Sequence, residues 1–132
     1  FKLKESMELS KFQINLPGFV DDVKPELLKH DFLVMPSKVP EALPLSVIEA
    51  FSTGLIVIAN PIGSLTEMIE HGINGLFYDA EDPQSLPNLI HEIQDQKYDL
   101  VRIRKNAHQM VKTRFYAPKQ LARFQEILEE TV

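Results

Sequence analysis

Two carboxylates with seven residues between them, Glu41 and Glu49, sit in the stretch Pro36-Ser37-Lys38-Val39-Pro40-Glu41-Ala42-Leu43-Pro44-Leu45-Ser46-Val47-Ile48-Glu49-Ala50. Glu41 falls in a loop. Glu49 falls a little over one turn into the helix that should begin at Pro44 or Leu45. They are therefore not an acid/base pair held face to face on one element. A carboxylate accepts two hydrogen bonds side by side, so each could grip a vicinal diol of a sugar or a ribose. The helix between them has no Ser, Thr, Asp or Asn immediately before it. Its first amides, around Leu45, Ser46 and Val47, are left for an external acceptor, and a phosphate suits both the free N–H groups and the helix dipole. The plainer readings stay open. Glu41, Ser46 or water could satisfy those amides, and both glutamates could be solvated charges.

The elements around this stretch read as alternating strands and helices. Phe32 to Met35 is a short apolar run bounded by Asp31 and Pro36, a buried-strand pattern. Pro44 suits the first turn of the following helix, and Gly54 its end. Leu55-Ile56-Val57-Ile58-Ala59 is apolar throughout, as a parallel strand covered on both faces should be. Ser64-Leu65-Thr66-Glu67 has the form of a capping box and predicts a helix to about His71, closed by Gly72. Asn74-Gly75 predicts a turn, and Leu76-Phe77-Tyr78 an extended segment. Helices are expected over about 83–94, 98–114 and 118–130. Before the first strand, Lys11 to Leu16 alternates as a strand, and a helix over about 23–30 carries Pro25 in its first turn and Asp21 or Asp22 as cap. The sum is an α/β fold: a Rossmann-like parallel sheet with helices on both faces and a helical C-terminal tail.

Bulk composition narrows the function classes. The chain has 132 residues, 44% hydrophobic and 25% charged, which suits one globular domain spanning 1–132. Its net charge of −5 argues against nucleic acid as a partner. No apolar run approaches the roughly 18–20 residues of a membrane span. The start has no apolar core, so no signal peptide is expected, and without an initiator Met the chain is expected to be a trimmed piece. It has no cysteine, and its four histidines (His30, His71, His91, His108) are scattered without metal-ligand spacing.

Taken together, these motifs resemble the retaining family-4 glycosyltransferases. Pro36-Ser37, Glu41, Pro44 and Ile48-Glu49-Ala50 are similar to that family's Pro-Ser, Glu, seven residues, Glu-Ala fingerprint. Gly54 to Ala59 resembles its "Gly-x-Pro-Val-Ile-Ala" strand. Gly63 to Ile69 resembles its "Gly-Gly-x-x-Glu" turn and helix, and His71 to Phe77 its "His-Gly-x-Asn-Gly" turn. Pro17-Gly18-Phe19-Val20 and His30-Asp31 resemble weaker preceding motifs. The resemblance covers about residues 12–83.

The resemblance implies the C-terminal, donor-binding half of a two-domain GT-B enzyme, without that domain's first strand–helix–strand and the basic residues it carries. It implies that Glu41 contacts the donor sugar at the reacting centre, that the backbone of Ala42, Leu43, Pro44, Leu45 and Ser46 holds sugar and phosphate, and that Glu49 accepts from ribose hydroxyls. Retention through front-face attack, a nucleotide-diphosphate sugar as substrate, no metal and no further cofactor go with it. So do a glycan or lipid-linked acceptor bound by the other domain, a place in polysaccharide biosynthesis, and a cytoplasmic location open to peripheral membrane association. A hexosyl-type transferase of this kind would not act through this fragment alone. A non-catalytic nucleotide- or partner-binding module of the same fold is the alternative. The sequence departs from the family at Ala42, where glycine is common, at Ser64 in place of the second glycine, and at Leu55-Ile56, which lacks the proline. Lys38 reads as a solvated loop lysine or a phosphate contact.

Overall fold

The computed structural model describes residues 15–118 and residues 121, 122 and 126. The element order is α1 (Lys24–Leu27), β1 (Phe32–Met35), α2 (Leu45–Thr53), β2 (Ile56–Ala59), α3 (Leu65–Met68), β3 (Leu76–Phe77), α4 (Ser85–Gln94) and α5 (Leu100–Arg114). The three strands form one parallel sheet in the order β1-β2-β3. Phe32 pairs with Ile56 and Met35 with Ala59, while Ile58 and Ala59 pair with Leu76 and Phe77.

β2 is the middle strand, and all four of its residues are fully buried. Its alternating side chains divide between two cores. Val57 and Ala59 join Val47, Ala50 and Phe51 of α2, Leu65 and Met68 of α3 and Ala107 of α5. Ile56 and Ile58 join Leu76, Leu89 of α4 and Ile103 of α5. That division is the two-sided covering that an unbroken apolar strand predicts. Phe51 is 0% exposed, and burying such a side chain contributes about 1.5–3 kcal/mol.

α2 ends as expected. Gly54 takes a left-handed φ of 84°, and the Leu55 amide reaches back to the Ala50 carbonyl at 2.9 Å. This is the six-to-one closure of a glycine C-terminus. At the other end Pro44 is the N-cap and Leu45 the first helical residue. α5 is capped by Asp99, whose carboxylate accepts from the Arg102 amide at 3.0 Å.

Three expectations need correction. The helix over 23–30 is a single turn, 24–27, with Val23 at the N-cap; Asp22 still accepts from the Lys24 amide at 3.1 Å. The chain then turns through short-range bonds, Lys29 N–H to Glu26 O and His30 N–H to Leu27 O, which tighten it out of the helix. The helix expected to run to His71 stops at Met68, because Ile69 is extended and buried. Ser64 makes no capping bond to that helix. Its backbone is already helical (φ −64°, ψ −15°), a conformation in which the hydroxyl does not fold back onto the following amides, so Ser64 and Glu67 form no capping box. Of the strand expected over 11–16, residues 11–14 lie outside the described residues, and Asn15 and Leu16 belong to no strand. Of the helix expected over 118–130, residues 118, 121, 122 and 126 are described and are helical, and the rest lie outside the described residues.

The turn after α3 is organised by Asn74, the buried polar residue among those described. Its side-chain oxygen accepts from the Glu70 amide at 2.7 Å, and its nitrogen donates to the Met68 carbonyl at 2.9 Å. A side chain that answers both a donor and an acceptor at a helix end can be buried without leaving either orphaned.

Candidate functional site

The carboxyl ends of β1, β2 and β3 open into three loops, 36–44, 60–64 and 78–84. Asn60, the residue after β2, ties them together. Its amide donates to the Met35 carbonyl at 3.4 Å, its side-chain nitrogen to the Ser37 carbonyl at 3.2 Å, and its side-chain oxygen accepts from the Ala80 amide at 3.3 Å. In open parallel sheets this is the edge at which ligands bind. The sequence marks Asn60 only as a loop residue; its position directly after the central strand is the signal that could have found it.

Glu41 is half-buried, not a freely solvated charge. Its carboxylate accepts from the Ser37 hydroxyl at 2.8 Å. Its backbone carbonyl accepts from the Ser64 hydroxyl at 2.7 Å and from the Ser64 amide at 3.4 Å. Gly63 packs directly beneath, with a left-handed φ of 57°. A Cβ there would stand 3.0 Å from the Pro40 Cβ and 3.2 Å from the Glu41 nitrogen. The 61–64 turn is thus the seat of the Glu41 loop.

Glu49 looks onto different neighbours. It is exposed and lines a cavity of about 320 Å³ between α1 and α2, with Asp22, Lys24, Leu27, Ile48 and Ser52. The structure therefore gives the two glutamates different surroundings, Glu41 in the loop before α2 against the 61–64 turn and Glu49 within α2 facing α1.

The first turn of α2 answers the question of its amides. The Val47 amide donates to the Pro44 carbonyl at 3.0 Å, which removes it from the free donors expected there. Glu41 does not cap the helix; its carboxylate accepts from Ser37 and from no α2 amide among the described residues. Ser46 does not either; its hydroxyl turns to the Met35 sulfur at 3.6 Å. Among the described residues, the amides of Leu45 and Ser46 meet no acceptor. No acidic side chain occupies the first turn. Two unclaimed N–H groups at the positive end of a nine-residue helix form a ready seat for an anion. Ala42, Leu43 and Leu45 are exposed around it and Pro44 is buried.

Lys38 is neither free nor turned to that seat. It pairs with Glu81 across the site at 2.8 Å, both side chains being largely exposed, and this hydrogen bond holds the lysine above its usual pKa. Of the histidines, His71 has the most defined role. Its Nδ1 accepts from the Phe77 amide at 2.9 Å, which leaves the proton on Nε2, facing the Tyr98 hydroxyl at 3.2 Å. Tyr98 in turn donates to Glu92 at 3.0 Å. Among the described residues no three His, Asp or Glu side chains converge as a metal site.

The family described as "Glycosyl transferases group 1" matches residues 2–110, most of the chain and all of the site loops. The chain belongs to that family. It is similar to the amylovoran biosynthesis glycosyltransferase AmsK of Erwinia amylovora, 29% identical over 126 residues, covering 88% of this chain and 30% of AmsK. It is also similar to the lipopolysaccharide 1,2-N-acetylglucosaminetransferase of Salmonella typhimurium, 30% identical over 98 residues, covering 73% of this chain and 25% of that one. Among solved structures, Anabaena Alr3699/HepE in complex with UDP superposes with a TM-score of 0.79 at 26% identity, over 86% of this chain and 31% of HepE. Its complex with UDP-glucose superposes with a TM-score of 0.74 at 28% identity, over the same shares. The chain thus spans less than a third of the length of each of these relatives. The expected fold class, a Rossmann-like parallel sheet of the GT-B glycosyltransferases, holds on both the strand topology and these superpositions.

Proposed function

We propose that this chain is the donor-binding part of a glycosyltransferase that moves a sugar from a nucleotide-diphosphate sugar to a glycan or lipid-linked acceptor, with retention of anomeric configuration. The observation that carries it is the pair of unclaimed amides at Leu45 and Ser46, at the strand-end edge of a fold whose relative HepE has been solved with UDP and with UDP-glucose. In this reading the diphosphate sits on the first turn of α2, and the backbone of Ala42 to Ser46 follows the sugar and phosphate. Glu41, held by Ser37, accepts from the donor sugar beside the reacting carbon. Glu49, at the α1–α2 cavity, accepts from the ribose hydroxyls.

The chemistry asked of such a site is positioning and charge stabilisation. As the sugar–phosphate bond breaks, positive charge grows on the sugar ring and negative charge on the leaving diphosphate. The α2 amides and dipole stabilise the second, and the Glu41 carboxylate the first. The leaving phosphate oxygen takes the acceptor's proton, so no separate base is required of this chain. The acceptor is assigned to a second domain outside these residues, and the intact protein to the cytoplasm or the periphery of a membrane. No helix among the described residues is long and apolar enough to cross one.

The test is a titration of UDP, GDP and ADP followed by thermal unfolding. One of the three should raise Tm, since a ligand at a hundred times its Kd adds about 2.7 kcal/mol of stability. Glu49→Ala should abolish the response. No response to any nucleotide, in this chain or in a longer one containing it, overturns the proposal in favour of a non-catalytic module.

A further inference from the structure

The carbonyl of half-buried Glu41 accepts two hydrogen bonds. One residue, Ser64, supplies both of its donors, the hydroxyl at 2.7 Å and the amide at 3.4 Å. The hydroxyl is what Ser64 adds over the glycine that the family pattern carries here. It reaches across 23 residues of sequence, and the Gly63 backbone beneath allows the approach, with no room for a side chain against Pro40.

The consequence follows from the geometry of the peptide bond. The Glu41 carbonyl and the Ala42 N–H belong to one planar trans unit and point in opposite directions. Fixing the carbonyl onto Ser64 therefore fixes the Ala42 N–H away from the 61–64 turn, towards the open side of the loop. Ala42 is exposed there, and among the described residues its amide meets no acceptor. Without the Ser64 hydroxyl only the long amide contact at 3.4 Å restrains this peptide plane, and a flip would present a carbonyl where the donor now stands.

We infer that Ser64 is a positioning residue: through the Glu41 carbonyl it aims the Ala42 amide as a donor towards a phosphate or sugar oxygen of the bound nucleotide sugar. This rests on the donor-site reading above, and it extends that site to a residue on another loop. Ser64 itself touches no substrate in this scheme. It acts by holding one peptide plane in one of two orientations.

The experiment measures the orientation of the Ala42 N–H directly, by its residual dipolar coupling in the 15N-labelled protein, for the wild type, Ser64→Ala and Ser64→Thr. UDP, GDP and ADP affinities are measured on the same samples. Ser64→Ala should change the Ala42 coupling and weaken nucleotide binding by roughly fivefold, the worth of one neutral hydrogen bond. Ser64→Thr keeps the hydroxyl and should restore both. If Ser64→Ala folds poorly, Ser64→Gly removes the same hydroxyl and carries the test. An Ala42 coupling unchanged by loss of the hydroxyl overturns the inference, and so does a changed coupling with unchanged affinity. If the wild type binds none of the three nucleotides, the donor reading and the aimed-donor role fall together, whereas the couplings separately decide whether Ser64 orients the peptide.

Discussion

Gly63 lies so close to Pro40 that a methyl group on it would stand 3.0 Å from the proline Cβ and 3.1 Å from its Cα. Both are backbone-anchored atoms that cannot swing aside. Gly63 also has a φ of 57°, which disfavours any side chain. Gly63→Ala should therefore strain the turn twice over, by conformation and by contact, and push the Glu41 loop off its seat. A loss of about 2 kcal/mol in chemical denaturation is expected, within the range for a forced backbone outlier. Nucleotide response should fall with it. Gly54→Ala is the control. Its φ is 84° but a Cβ there meets nothing within 4 Å, so it should cost roughly 1 kcal/mol and leave nucleotide binding alone. Equal effects of the two substitutions on binding would refute a special seat at Gly63.

Asn74 is expected to be the most costly polar side chain to remove. It is 8% exposed and satisfies both the Glu70 amide and the Met68 carbonyl. Asn74→Ala leaves both groups without their partner at a buried helix end, so a destabilisation of about 2–3 kcal/mol is expected. Asn74→Asp keeps the acceptor for Glu70 but sets a carboxylate oxygen against the Met68 carbonyl, and should be no better than alanine. Urea unfolding of the three proteins decides it; an aspartate variant as stable as the wild type would contradict the two-bond role.

The contrast between Asn74 and Ser64 shows where the sequence is legible. β1, β2 and α2 declare themselves through apolar runs, Pro44 and Gly54, because strand burial and helix ends are set within a few residues. The resemblance likewise brought out Glu41 and Glu49, since their spacing is local. Ser64 does not cap because its backbone is already helical, and its hydroxyl donates instead to the Glu41 carbonyl, 23 residues away, a partner that only the fold brings near and that local pattern cannot weigh. Lys38 is the exposed loop lysine that the sequence suggests, but its partner Glu81 arrives from the loop after β3 and could not be read locally. For Asn60 the sequence offers only its place directly after the central strand, because its role exists only once three strand ends are side by side.

The Glu92–Tyr98 contact sets a pH dependence with a definite sign. Hydrogen bonds from Lys97 first and Tyr98 next hold the Glu92 carboxyl below its ordinary 4.5. A carboxyl depressed on folding adds stability above the unfolded value, and that stability is lost as pH falls through the lower folded one. Tyr98 is pushed above 10, by burial first and then by its bond to Glu92, so its contribution is present below pH 10 and is lost as pH rises through the raised value. Glu92→Gln should therefore lower Tm near pH 6 and lose that deficit as pH falls below about 4.5. These groups are exposed enough for salt to shrink the difference. A deficit that persists unchanged at pH 3 would show that the ion pair is not its source.

Asn60 offers a test of how the strand-end loops are held. Its side chain joins the Ser37 carbonyl before Glu41 to the Ala80 amide after β3. Asn60→Ala removes both bonds from a half-buried position and should cost about 1–2 kcal/mol. The more informative readout is local. Hydrogen exchange at Ala80 should speed up in Asn60→Ala, because its amide then has water as its only acceptor. Asn60→Asp separates the two bonds: the remaining oxygen can still accept from Ala80, while the second one faces the Ser37 carbonyl and repels it. Ala80 should stay protected in the aspartate variant, and nucleotide response should fall, since Ser37 is the residue that holds the Glu41 carboxylate. Unchanged exchange at Ala80 in Asn60→Ala would mean that the loop after β3 is held by other contacts, such as the Ser85 hydroxyl on the Asp79 amide at 2.8 Å.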